Sequence, residues 1–138
     1  MSRIKNYLYH ADNDYMFVKN TIYYCGDNYN TPAYILSQAA EKYMKAVIGR
    51  ISGDTELITD LGSMLRFVDS YRSLPVSSED QEWLVHAQSA TTPSLEPYDV
   101  SLTDLKHGIL VIERLRDYSK EIIMDIDVDT KAVSIEDW

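Results

Sequence analysis

The sequence predicts an all-α protein, an antiparallel up-and-down bundle of about five helices. Three observations predict it. Apolar residues recur at steps of three and four in five successive segments, capping and helix-stopping residues separate those segments, and no stretch shows the strict alternation of a half-buried strand. At 138 residues the chain is the size of one ordinary domain, large enough to bury a core without a metal or a disulfide. The bundle is expected over residues 1–124, followed by an acidic tail over 125–138.

The first helix is expected from Ile4 to Cys25, because Leu8, Ala11, Tyr15, Val18, Ile22 and Cys25 share one face, and Gly26-Asp27-Asn28 ends it. Thr31 reads as the cap of a second helix, with Pro32 where a missing amide hydrogen does no harm. Leu36, Ala40, Tyr43 or Met44, Val47 and Ile51 form its stripe, and Ser52-Gly53 stops it. Asp54 or Thr55 is expected to cap a third helix carrying Leu57, Leu61, Met64, Leu65 and Val68, which fades near Tyr71 before Pro75. Ser78 with Gln81 has capping-box form and opens a short fourth helix with Trp83, Leu84 and Ala87. Pro93 and Pro97 mark a loop from Thr91 to Tyr98. Ser101 with Asp104 starts the fifth helix, in which Leu105, Ile109, Ile112, Leu115, Tyr118 or Ser119, and Ile122 keep helical spacing. Beyond Met124 the pattern changes to Asp125, Asp127, Asp129, Glu136 and Asp137 against a single Lys131.

The net charge of -9 opposes the attraction that supplies most non-specific nucleic-acid affinity, so a broad basic face is excluded and only a local groove for a short RNA or nucleotide remains. The single cysteine, Cys25, has no partner within the chain, and the start of the sequence shows no basic-then-apolar leader, so a reducing cytoplasm is the expected location. No apolar run reaches the roughly 20 residues that cross a bilayer, and no membrane partner is expected. Of eleven tyrosines, Tyr7, Tyr9, Tyr15, Tyr23 and Tyr24 lie in the first helical segment. They read as packing at helix or subunit interfaces, with stacking on bases as the alternative.

The run Gln38-Ala39-Ala40-Glu41-Lys42, with Lys45-Ala46 two residues on, resembles the second-helix signature of HEPN domains (higher eukaryotes and prokaryotes nucleotide-binding domains), all-helical modules of prokaryotic toxin systems and nucleotide-handling proteins. Ala11 to Asp14 resembles the family's Ala-x-x-Asp pattern, with Asp14 in the acidic place, and Pro93 to Tyr98 resembles the loop before its last helix. The resemblance covers about residues 5–124. It implies a homodimer, a small nucleotidyltransferase as partner in a toxin–antitoxin or nucleotide-transfer system, and a nucleotide or short RNA as ligand.

Catalytic members of that family are metal-independent ribonucleases with an Arg followed after four to six residues by a His near the last helices. There the Arg neutralises phosphate and the His moves a proton near neutral pH. Arg114 and Arg116 lie in the corresponding helix with no His after them, and Arg66 and Arg72 also lack one. Where the family often has Arg-Tyr-Pro the chain reads Thr91-Thr92-Pro93. One match exists, Arg3 and His10, which enclose six residues in the first helix. His86 and His107 read as hydrogen-bonded structural or surface residues.

Binding rather than catalysis is therefore the expected mode, and a ribonuclease or a purely structural interaction module are the alternatives. The groove candidates are Asp14, Gln38, Glu41, Lys42 and Lys45, in which Lys meets phosphate and Gln reads a base; the competing reading of Glu41 and Lys45 is an ion pair within the helix. No Cys or His cluster has metal-ligand spacing, Asp125, Asp127 and Asp129 lack the glycine and terminal Glu of a calcium loop, and no glycine-rich phosphate loop occurs, so neither a metal nor a cofactor is expected.

Overall fold

Ser2 stands in extended backbone, and its hydroxyl accepts the amide of Lys5 at 3.2 Å, which starts helix α1 at Arg3. The computed structural model describes residues 2–24, 26, 28–92 and 99–129. Within them the protein is an all-α bundle of five helices: α1 (Arg3–Thr21), α2 (Asn30–Ser52), α3 (Leu61–Tyr71), α4 (Ser78–Ala87) and α5 (Leu102–Asp129). A 3₁₀ turn, Ile22–Tyr24, finishes α1, and Cys25 lies outside the described residues.

The predicted stripes supply most of the core, with Ile51 and Trp83 partly buried against it. Leu8, Ala11, Tyr15, Val18 and Ile22 are buried, as are both Tyr43 and Met44, and so are Leu105, Ile112, Leu115 and Ile122 of α5. Each fully buried Leu, Ile or Met contributes about 1.5–3 kcal/mol. α2 is central, with buried residues on almost every side from Ala33 to Gly49, and it packs on all four other helices. Asp12 and Asp14 of α1 meet Tyr43 and Lys42 of α2, and Ile4 lies beside Gly49, so the two helices form an antiparallel hairpin. Tyr15 meets Glu113 and Asp12 meets Lys120, so α5 is also antiparallel to α1. Asn30 lies beside Val100 and Leu36 beside Gly108, so α5 runs in the direction of α2, and α3 and α4 carry the chain back to its start.

Several boundaries differ from the sequence expectation, each for a local reason. α3 begins at Leu61, not near Asp54, because the Asp54 carboxylate accepts the amide of Glu56 at 2.9 Å and closes a turn. Asp60, in extended backbone, is the cap, accepting the amide of Ser63 at 2.9 Å. Leu57, left in the turn, is exposed. Ser77, not Ser78, caps α4, accepting the amide of Asp80 at 3.1 Å. α2 starts at Asn30, one residue before Thr31, and the Asn30 side chain accepts the amide of Val100 at 2.8 Å. Ser101 does cap α5, accepting the amide of Asp104 at 3.0 Å, and that helix continues past Met124 to Asp129. Residues 93–98 and 130–138, which hold most of the predicted loop and tail, lie outside the described residues.

Gly53 ends α2 in the left-handed region at φ 83°, donating its amide to Gly49 at 2.8 Å. Gly108 is needed for a different reason, a close approach between α4 and α5. A Cβ there would sit 2.7 Å from the Trp83 ring and 3.1 Å from Leu36. Gly108→Ala is expected to destabilise the bundle by about 1–3 kcal/mol through overpacking, despite the helix propensity of Ala, as measured by thermal or urea unfolding.

Candidate functional site

The polar side chains that sequence reasoning placed in a groove are brought together by the fold, and they mostly satisfy one another. Lys42 donates to Asp14 across the α1–α2 hairpin, with both side chains about one-quarter exposed. Lys45 lies 3.1 Å from Glu56 in the turn before α3 and 3.8 Å from Glu41 one helical turn earlier. Tyr7 donates to the same Glu56, and Lys45 stands over the Tyr7 ring at 5.3 Å. The Tyr7 hydroxyl and then Lys45 hold the Glu56 carboxyl below the usual carboxylate range. Gln38 is half-buried on the same helix. Both lysines therefore meet an anionic ligand only by giving up carboxylates of their own chain, each a pair of about 1 kcal/mol or less at this exposure.

Arg3 and His10 do not converge. Arg3 lies 3.9 Å from Glu56, and His10 sits edge-on to the Tyr9 ring at 5.3 Å between centroids. The two stand seven residues apart, about 10 Å along the helix axis. His107 pairs with Asp80 at 2.8 Å on the surface. His86 lines a cleft between α3 and α4 that Arg66 also lines. Among the described residues, no group of His, Cys, Asp or Glu is arranged to hold a metal.

The dominant polar cluster involves a residue that sequence reasoning did not single out. Asp12 of α1 accepts hydrogen bonds from Tyr43 of α2 and from Arg116 (3.2 Å) and Lys120 (2.7 Å) of α5. Beside it Tyr15 donates to Glu113, Lys19 stands 3.4 Å from that carboxylate, and Arg116 lies over the Tyr15 ring at 5.9 Å. The Tyr15 hydrogen bond holds Glu113 below the carboxylate range. Burial, and then the Asp12 carboxylate it bonds, push the Tyr43 phenol far above its ordinary value. Only the Asp of the Ala-x-x-Asp pattern drew notice in the sequence, whereas the position two residues earlier joins three helices.

The opposite side of α1 carries a second stripe. Tyr9, Met16, Phe17, Tyr23 and Tyr24 are all exposed, Tyr23 at 75% and Tyr24 at 85%. At 100° per residue they fall within one third of the helix circumference, spread over about 20 Å and centred opposite Val18 and Ala11. The exposed polar residues within the stripe, Asn13 and Asn20, are uncharged. Lys106 of α5 reaches the Tyr23 ring at 5.6 Å, and Leu110, one turn further along α5, is half exposed. The only carboxylates of α1, Asp12 and Asp14, are held by cations of α5 and α2. The signal for this stripe was a seven-residue repeat in the same segment, Tyr9, Met16 and Tyr23 with Phe17 and Tyr24 beside it, which the tyrosine count alone did not separate from the core face.

No protein-family model, no curated protein and no solved structure matches this chain. No helix among the described residues is long and apolar enough to cross a membrane.

Two measurements check the roles of the Asp12 cluster. Asp12→Ala leaves Arg116 and Lys120 facing each other and the buried Tyr43 hydroxyl without its acceptor, and a loss of about 3 kcal/mol is expected in urea unfolding, with Asp12→Asn intermediate. The second is a pH series. The Tyr43 phenol is raised in the folded protein, and burial pushes Tyr118 up to about 12. A raised folded value means the stability they contribute is fully present below the unfolded tyrosine value of about 10 and is lost as pH rises above it. Tyr43→Phe is expected to lose stability less steeply than the parent protein above pH 10; an unchanged slope would remove Tyr43 as the responsible group.

Proposed function

We propose that this protein is a HEPN-like helical module that works by docking rather than by catalysis. The outer face of α1 is its contact surface for a partner protein that presents an apolar patch with a carboxylate at its edge. The observation that carries the reading is the exposed stripe of Tyr9, Met16, Phe17, Tyr23 and Tyr24 with Lys106 at its margin. Tyr, Phe and Met are the side chains enriched in the cores of protein interfaces, and contiguous exposed apolar surface marks such sites. Lys106 forms no ion pair among the described residues, and the carboxylates of α1 are tied down elsewhere, so a carboxylate on the partner complements the margin of the patch. The HEPN resemblance suggests a small nucleotidyltransferase as that partner, in a toxin–antitoxin or nucleotide-transfer setting.

The rival occupants are less well supported. A two-fold dimer through this face would bring together two chains of net charge -9, and the patch itself supplies no carboxylate for Lys106. Single-stranded RNA would stack on the rings, but aliphatic Met16 and Leu110 offer it nothing and the same net charge opposes it. The groove of Asp14, Gln38, Glu41, Lys42 and Lys45 is a weaker nucleotide site because its two lysines are already neutralised. Within one chain Arg3 is engaged with Glu56 and His10 with Tyr9, so the ribonuclease reading rests on an Arg and a His meeting across a dimer.

The test is photocrosslinking in the native cell with p-benzoyl-phenylalanine in place of Phe17, followed by identification of the adduct. The expected result is one protein of different sequence whose purified complex with this chain is weakened at least about tenfold by Phe17→Ala, a loss of about 1.4 kcal/mol, and is weakened also by Lys106→Glu. An adduct with RNA, an adduct with a second copy, or a complex indifferent to either substitution overturns the reading.

A further inference from the structure

We infer that the cleft between α3 and α4 is a binding site for a small aromatic acid that carries a hydrogen-bond donor at its far end. The cleft has a volume of about 390 Å³, within the range of roughly 300–1,000 Å³ typical of small-molecule sites. Its exposed apolar surface comes mainly from Val85 of α4, with Leu65 of α3, only 1% exposed, beneath it. Gly62 keeps the side of the cleft near Arg66 open: a Cβ there would stand 3.5 Å from the Arg66 guanidinium, 3.6 Å from the Asp60 carboxylate and 3.8 Å from Val85.

Two charges of opposite sign line this slot without meeting. Among the described residues neither Arg66 nor Glu82 forms an ion pair; Arg66 spends one nitrogen on the Ser63 hydroxyl at 3.0 Å, and the nearby Asp60 carboxyl is held below the carboxylate range first by the Ser63 amide, with the Arg66 charge a lesser contribution. Elsewhere on this acidic protein cations sit beside carboxylates, as at Lys42, Lys45, Arg72 and Arg116. Guanidinium geometry suits a carboxylate or phosphate, which it binds through two parallel hydrogen bonds. Glu82 accepts from a hydroxyl or amino group on the same ligand, while the neighbouring Gln81 amide donates to the Val76 carbonyl at 3.4 Å. The ligand class follows from this order of surfaces: an anion at Arg66, a ring over Leu65 and Val85, and a donor toward Glu82.

The site lies on different helices from the α1 stripe, so it stands or falls independently of the docking reading. The experiment titrates the purified protein with 4-hydroxybenzoate and, separately, with phenol, following backbone amide shifts by NMR. Saturable shifts confined to α3 and α4 are expected with 4-hydroxybenzoate, and phenol, without the anion, is expected to bind about tenfold or more weakly. Arg66→Gln is expected to weaken 4-hydroxybenzoate about tenfold with an unchanged melting temperature. Gly62→Ala provides a variant that folds, since its methyl group meets only ordinary contact distances and Ala favours the helix, yet it fills the slot and is expected to weaken binding as well. No saturable shift at millimolar 4-hydroxybenzoate, or equal affinity in the parent and Arg66→Gln proteins, overturns the inference.

Discussion

The hydrogen bonds converging on Asp12 hold the relation among the three long helices. Apolar packing drives α1, α2 and α5 together without a preferred direction, so the polar contacts between them add a sharper constraint on register. A carboxylate that accepts from Tyr43, Arg116 and Lys120 at once supplies that constraint, because each bond fails within about an ångström of its optimum. The same register brings Tyr15 to Glu113 and Lys42 to Asp14. Burial of Leu8, Ala11, Tyr15 and Val18 turns the opposite side of α1 outward, and the bonds at Asp12 hold the helix in that rotation.

The fold was largely legible because its signal is periodic. The five stripes predicted from three- and four-residue steps correspond to the five helices, and every residue assigned to the core face of α5 is buried. The boundaries were less legible where two candidate caps competed. Asp54 and Asp60 are equally good caps as residue types, and Ser77 and Ser78 are neighbours; the choice was decided by a turn that Asp54 closes on Glu56 and by backbone angles at Ser77. The direction of α5 relative to α2 depends on how α3 and α4 cross back, which no local pattern encodes.

The polar residues were legible as a set but not in their pairing. Asp14, Glu41, Lys42 and Lys45 do cluster, yet Lys45 finds Glu56, a residue of a turn that was read as helix. Asp12 was overlooked because its two cations come from a helix about a hundred residues later. Exposure of Met16 and Phe17 was hidden for a simpler reason: an apolar residue type announces burial unless the opposite face of its helix is already known to be full.

The small residues of α2 also govern the electrostatics of this molecule, although they carry no charge. Ala33, Ala39, Ala40, Ala46 and Gly49 are buried, and a Cβ at Gly49 would stand 2.3 Å from Thr55 in the turn before α3 and 3.3 Å from Ile4 of α1. Side chains of this size bring helix axes toward the near end of the usual 8–10 Å spacing. Tyr43 and Lys42 are finite tethers that span that spacing to reach Asp12 and Asp14. Interaxial distance is thus a shared variable: a methyl group added to the seam would lengthen polar bridges that the added atom never touches.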